Sequence, residues 1–394
     1  MAGREVVPFE LRERTMDTQL NSKGNRRFTV VLRGPTAVVF WENENLRIEK
    51  FPTAVGPVDI TYTTRWISRG DKVRIPGQLW IEIVGSGDTL ENVLVPYANA
   101  GIAALPVLSL ATNASIEEAD VELGFESTPG INERDYFQSY LPPESGVIHV
   151  GRHVNVQTVV AVLEAVSKNP DSERLLRAAN QYRLALASWK LGRESLSLAH
   201  LWMALEALTK VKIRQACSAA GLNSEEELAS RLGVELKELD PTVRKTLLLK
   251  NDEECYRKGK TASDGFEHGF LGYDKIREYA KDVRHRMAAH VRTAILDLGG
   301  VPKPALDILV SDPFDKPLGH WPIVKYMRGR LLGDSPILAH EGNQYPFLRW
   351  NPVVTSCAPD AAGKLHIQFS ETFTAELADG ISFQPQSLEV WQPD

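Results

Sequence analysis

The sequence predicts an α+β protein of several domains: an N-terminal β-rich domain, a central α-helical bundle and a small C-terminal β-rich region. Short runs dense in Val, Ile, Thr and aromatics, broken by Gly, Pro and Asn, occupy the first third of the chain. From about residue 155 to 299 apolar residues recur at helical spacing. Prolines and strand-like runs return after residue 300. The length, 394 residues, accommodates two or three domains.

Residues 1–27 are polar and read as a loosely held segment. Residues 28–145 form the β-rich domain, with strands expected in "RFTVVLRG", "TAVVFW", "VDITYTTRWI" and "GQLWIEIVG". The stretch "NVLVPYANAGIAALPVLSLATNA" is small and apolar without alternation, which predicts a helix broken at a proline and packed on the sheet. "YLPPESG", residues 140–146, marks the boundary to a bundle over residues 150–300. There "NVQTVVAVLEAVSK" opens the helical pattern. "DSERLLRAANQYRLALASWKLG" follows, with Asp171 or Ser172 as N-cap and Gly192 in the C-cap place. "RESLSLAHLWMALEALTKVKIRQACSAAG" is a longer helix, and "NSEEELASRLG" a short one with a Ser224-x-x-Glu227 capping box. "YDKIREYAKDVRHRMAAHVRTAILDLGG" is the last long helix, closed by Gly299 and Gly300. Residues 301–394 are expected to add a β-rich appendage, with strands in "KLHIQFSETFTAEL" and "SLEVWQP".

A formal net charge of −6 excludes a general polyanion binder, so any nucleic-acid surface must be local. Between Pro241 and Arg292 there are 12 Lys/Arg against 8 Asp/Glu, which fits RNA or phosphate contact, or a solvated face. Cys217, Cys255 and Cys357 are far apart, which argues against a disulfide framework and a cysteine-rich zinc site. No phosphate-cradling Gly loop, Gly-x-Ser-x-Gly elbow or HExxH helix occurs, so neither cofactor nor metal is expected. The N-terminus lacks the apolar core of a signal peptide, and no uninterrupted apolar run spans a bilayer. The expectation is a cytoplasmic protein without membrane contact.

Within "LSLAHLWMALEALTKV" apolar residues run almost all the way round, so this helix should be central. It carries His200 and Glu206. A carboxylate there is costly unless paired, so Glu206 should meet an Arg, a His or a backbone donor, or else point to solvent. At ~100° per residue, Ile276, Ala280, Val283, Met287, Val291, Ala294 and Leu298 share one stripe of the last helix. Arg286 and His290 lie on one edge of that stripe and Arg284 on the other. Arg286 and His290 could therefore converge on one ligand, or form the basic rim of a surface helix. Upstream, "GKTASDGFEHGFLGYDK" reads as a loop or helix-start segment that crowds Asp264, Glu267 and His268 together. A carboxylate beside a histidine orients the ring and raises its pKa, which suits acid–base work. A capped turn is the alternative.

"ERLLRAANQYRLALASWKLGRESLSLAHLWMALEALTK", then "ASDGFEHGF" and a terminal amphipathic helix, resembles the ApeA-like branch of the HEPN superfamily. Within that branch it is most similar to proteins of the methylamine-utilisation MauJ-like group. "LATNA" followed by "STPGINERDYFQSYLPPE" resembles the segment preceding the helices there, and the likeness spans about residues 92–298. The resemblance implies a HEPN-like bundle of four or five helices that forms a homodimer. It also implies, for many members, metal-independent RNA cleavage by an Arg-x4–6-His motif from each protomer. His268, Gly269 and Asp264 match the motif's histidine, following glycine and polar residue, but Ser263 stands at the Arg position.

On that resemblance the function would be a metal-independent endoribonuclease that activates the ribose 2′-OH of RNA. His268, or in second place His290, would act as base or acid, oriented by Glu267 or Glu206. Arg284 or Arg286 would clamp phosphate, with Arg257, Lys258 and Lys260 as the nearest substitutes for the missing arginine. The N-terminal domain would sense a protein trigger, with phage defence as the context. Ser263 equally supports a non-catalytic HEPN scaffold that binds RNA or protein. An accessory protein of methylamine utilisation is a third reading, although no residue specifies amine chemistry.

Overall fold

The computed structural model describes residues 6–8, 26–68, 73–139, 148, 151–312, 314–319, 324–350, 353–360, 365–370 and 373–391. Apart from Val6–Pro8 and from Arg26 and Arg27, which begin a strand, the polar N-terminal segment lies outside them, as does the expected boundary at residues 140–146.

A seven-stranded sheet is built from β1 (Val6–Pro8), β2 (Arg26–Gly34), β4 (Leu46–Phe51), β5 (Val58–Ser68), β6 (Arg74–Gly87), β7 (Asp120–Glu126) and β8 (Tyr136–Gln138). Its order is β1-β4-β5-β6-β2-β7-β8, antiparallel except between β1 and β4. A short β3 (Val38–Val39) pairs separately and in parallel with β9 (Arg152–His153). The period of two sends Phe28, Val30, Leu32, Ile81 and Ile83 to one buried face. Helices α1 (Leu90–Ala103) and α2 (Leu105–Thr112) follow β6. They are broken at Ala104, because Pro106 cannot donate a helical hydrogen bond. Helix α1 rides very close to the sheet at Gly101, where a Cβ would lie 2.5 Å from Leu32 Cδ1 and 2.9 Å from Ile83 Cδ1. The stretch Leu90–Thr112 has the length and composition of a membrane span. In the fold, however, its Val93, Tyr97, Leu105 and Leu108 are buried in the protein core.

The helical region comprises α3 (Val156–Lys168), α4 (Ser172–Ala187), α5 (Glu194–Ala220), α6 (Glu225–Leu232), α7 (Leu239–Val243), a π-turn at Arg244–Leu248, α8 (Glu253–His268) and α9 (Tyr273–Gly299). Helix α5 packs against α4, α8 and α9 and buries Leu198, Leu201, Trp202, Leu205, Leu208 and Val211. The expected stripe of α9, from Ile276 to Leu298, is buried throughout. An α+β architecture of several parts is therefore what the chain adopts.

Several local expectations are corrected. Helix α4 ends at Ala187 rather than at Gly192. Trp189 turns inward, 2% exposed, and Gly192 takes its left-handed φ of 82° inside the following turn. Asp171 holds the N-cap position of α4, one of the two expected, but its carboxylate pairs with Arg214 on α5 instead of making a capping bond. Helix α5 is central as expected but not buried all round, since Met203 is exposed. The segment "GKTASDGFEHG" is the C-terminal part of α8, not a loop. Its glycines serve close packing: a Cβ at Gly259 would meet Met287 Cε at 2.6 Å, and one at Gly265 would meet Leu271 Cβ at 2.7 Å.

One hydrophobic core runs from the sheet through the bundle to Val301 and Leu309, the latter in α10 (Lys303–Leu309). Two buried arginines tie these parts together. Arg292 on α9 donates to the carbonyls of Leu110 (2.8 Å), Ala111 (3.0 Å), Leu309 (2.6 Å) and Phe314 (3.2 Å). Arg152 donates to Thr112 and Asn113 (both 2.7 Å) and Lys316 (3.0 Å). Together they satisfy the last carbonyls of α2, at the negative end of its dipole. Burial pushes both guanidinium groups down to about 10. Among the described residues the C-terminal part contains three antiparallel pairs: β10 (Val324–Leu332) with β15 (Ser382–Trp391), β11 (Phe347–Trp350) with β14 (Phe373–Glu376), and β12 (Val353–Pro359) with β13 (Leu365–Ser370).

Candidate functional site

The turn between the π-turn and α8 holds Lys250 and Asn251 in the left-handed region, with φ of 51° and 63°. Non-glycine residues occupy that region at a cost, and it turns the chain sharply into α8. Asp252 caps the helix by accepting from Cys255 N at 3.0 Å. Its carboxylate also receives Arg286 Nη1 at 3.0 Å on each oxygen, while Arg286 Nη2 donates to Glu254 at 2.8 Å. One turn along α9, His290 Nε2 stands 3.6 Å from Asp252, too long for a hydrogen bond and an ion pair only when the ring is protonated. Lys258 joins the cluster through Glu254 (2.7 Å) and Asp282 (2.6 Å). The expected convergence of Arg286 and His290 is thus present, but their common partner is a carboxylate of the protein itself.

His290 and His200 are both held below the usual imidazole range, chiefly by burial. Arg183 adds to the effect at His200, whereas Asp252 opposes it at His290. As pH falls through the ordinary value near 6.5, the unfolded chain takes up these protons before the folded one. Stability held by the neutral rings is therefore complete above that pH and declines below it. Urea midpoints are expected to fall between about pH 7.5 and about pH 5.5, and to fall less steeply for His290→Gln. Equal slopes would remove His290 as a contributor.

The remaining sequence candidates are dispersed. His268 is the last residue of α8 and exposed, with Gly269 in the left-handed region behind it at φ 68°. The helix places it roughly 24 Å from Asp252 at 1.5 Å per residue, so His268 and His290 do not share a site. Glu267 meets only Ser263 Oγ, at 3.5 Å, and Ser263 is buried. Lys260 pairs with Asp264 at 2.5 Å. Glu206 meets Arg244 at 3.3 Å and accepts from Trp202 Nε1 at 3.2 Å, yet stays half-exposed, so both expected alternatives hold in part. Arg284 is buried with its guanidinium 4.8 Å above the Trp189 ring, and burial lowers its pKa. It is a packing residue rather than a phosphate clamp in this conformation. Arg257 is exposed and has no ion pair among the described residues.

Sequence reasoning missed Asp252 and Glu254, although "NDEECYRK" carries an acidic helix start that could have marked them. It also missed a second carboxylate–histidine pair. His153 Nε2 lies 2.5 Å from Glu44 Oε2, and its ring stacks on Trp41 at 5.2 Å. Among the described residues no group of three His, Cys, Asp or Glu could hold a metal ion. Burial pushes the Cys255 thiol up to about 12, which suits packing beneath Asp252 rather than nucleophilic attack. Compared with protein-family models, with curated proteins and with solved structures, the chain matches none.

Proposed function

We propose that the helical region is a non-catalytic HEPN-like module that recognises protein rather than cleaving RNA, in a cytoplasmic protein. One observation carries this reading. Of the cations expected at phosphate, Lys258, Lys260 and Arg286 are each paired with carboxylates, and Arg284 is buried on Trp189. Phosphate would have to displace those carboxylates, and of these expected cations Arg257 alone is exposed without a carboxylate partner among the described residues. Self-association through the bundle belongs to the same proposal, and exposed Leu191, Phe266, Phe270 and Tyr273 supply apolar area for such a contact. The N-terminal sheet would then receive a protein trigger.

A second reading is favoured by the Asp252–His290–Arg286 cluster. A neutral imidazole beside a carboxylate and a guanidinium could act as general base in a metal-independent endoribonuclease, once a trigger frees the arginine. Purified protein, with and without phage-infected lysate, separates the two when incubated with single-stranded and structured RNA. The expected outcome is RNA left equally intact by the native protein, His268→Ala and His290→Ala. Cleavage that either substitution abolishes would establish the nuclease and overturn the non-catalytic reading.

A further inference from the structure

Among the described residues, α1 covers one face of the sheet, and the other is open around Arg27 and Glu82, although Thr29 and Val31 on it are buried. The register aligns Arg47, Thr61, Glu82 and Val31 across four strands of that open face, with Arg27 four positions before Val31 on the same side. These strands enclose a groove of about 320 Å³, at the small end of ligand pockets. Two of its charges are already matched: Arg47 donates to Asp59 at 3.0 Å, and the Lys50 backbone N–H donates to the same carboxylate at 3.1 Å. Two are not. Arg27 and Glu82, both exposed, line the groove without an ion-pair partner among the described residues and do not pair with each other.

The register explains why. Arg27 stands opposite Ser86, four residues along β6 from Glu82, so the two backbones are about 13 Å apart along the strand. Side chains reaching inward narrow that gap to one that a dipeptide, about 7 Å end to end, can bridge. Val84 lies between the charges along β6, and Thr61, level with Glu82 on the neighbouring strand, offers a hydroxyl to a peptide unit.

We propose that this groove binds a short zwitterionic ligand, a dipeptide or an amino acid of that length, with its carboxylate on Arg27 and its ammonium on Glu82. Opposite charges held apart in one groove select a molecule that carries both, and discriminate against one that carries either alone. The site is separate from the helical cluster, so its fate is independent of the reading given to the bundle.

Calorimetric titration of the full chain with glycylglycine, N-acetylglycylglycine and glycylglycinamide tests the assignment. Glycylglycine is expected to bind saturably, and blocking either end to weaken it about two- to fivefold, the weight of one exposed ion pair. Arg27→Gln should erase the penalty for the amide but keep that for the acetyl group, and Glu82→Gln should do the reverse. Both side chains are exposed, so neither variant threatens the fold. Absence of saturable glycylglycine binding, equal binding of the blocked peptides, or penalties unchanged in the variants would each overturn the proposal.

Discussion

Replacing Arg292 by Met is expected to destabilise the protein by about 3–5 kcal/mol, read as a fall in the urea midpoint at constant slope. The guanidinium is 4% exposed and satisfies four carbonyls from three segments: the end of α2, the end of α10 and the turn at Phe314. Methionine fills much of the volume but donates nothing, so those buried acceptors lose their charge-assisted partner. Water cannot easily replace it, because Tyr182, Asn113 and Arg152 occupy the adjoining space, with Tyr182 Oη donating to Asn113 Oδ1 at 2.6 Å. Arg152→Met should act in the same direction with a smaller effect, since it removes three bonds rather than four. A loss below about 1 kcal/mol for Arg292→Met would mean that those carbonyls are readily solvated and that the arginine is not what ties α9 to α2 and α10.

Trp202→Ala is the second large effect, at about 3–5 kcal/mol, the range for deleting a buried aromatic ring from a close-packed core. Trp202 is 3% exposed in the N-terminal third of α5, 5.8 Å from the Tyr256 ring, and packs over Gly259 of α8. Its indole N–H is also the donor that, with Arg244, keeps Glu206 supplied at the bundle surface. Denaturant unfolding followed by far-ultraviolet circular dichroism reads the loss. Should α8 collapse into the space, the cost would drop below that range, and Tyr256 would become the residue that holds α5 and α8 apart.

The two outcomes differ in how far they could have been anticipated. Trp202 sits in a run whose periodicity alone predicts a central helix, and the buried stripe of α9 was legible in the same way. Arg292 was not legible. In the sequence it is one more cation in a basic stretch that suggests phosphate contact, yet both Arg292 and Arg284 are spent in the interior. The glycines of α8 misled for a related reason. Beside a histidine and acidic residues they read as a loop, but close approach to Met287 and Leu271 makes them part of a helix. Asp252, the carboxylate that gathers Arg286 and His290, lies 34 positions before its arginine, beyond the reach of any local pattern.

What the sequence by itself determined is the class of architecture, the central place of α5 and the buried stripe of α9. Periods of 2 and 3.6 are local properties of the backbone, and they are written directly in the spacing of apolar residues. The tertiary structure decided what each charge is for. A carboxylate or guanidinium acts through whatever lies within about 4 Å of it, and in this protein those neighbours come from other strands and helices. Packing alone therefore turned Arg284 and Arg292 inward, tied Arg286 to Asp252 and Glu254, and left Arg27 and Glu82 facing an open groove.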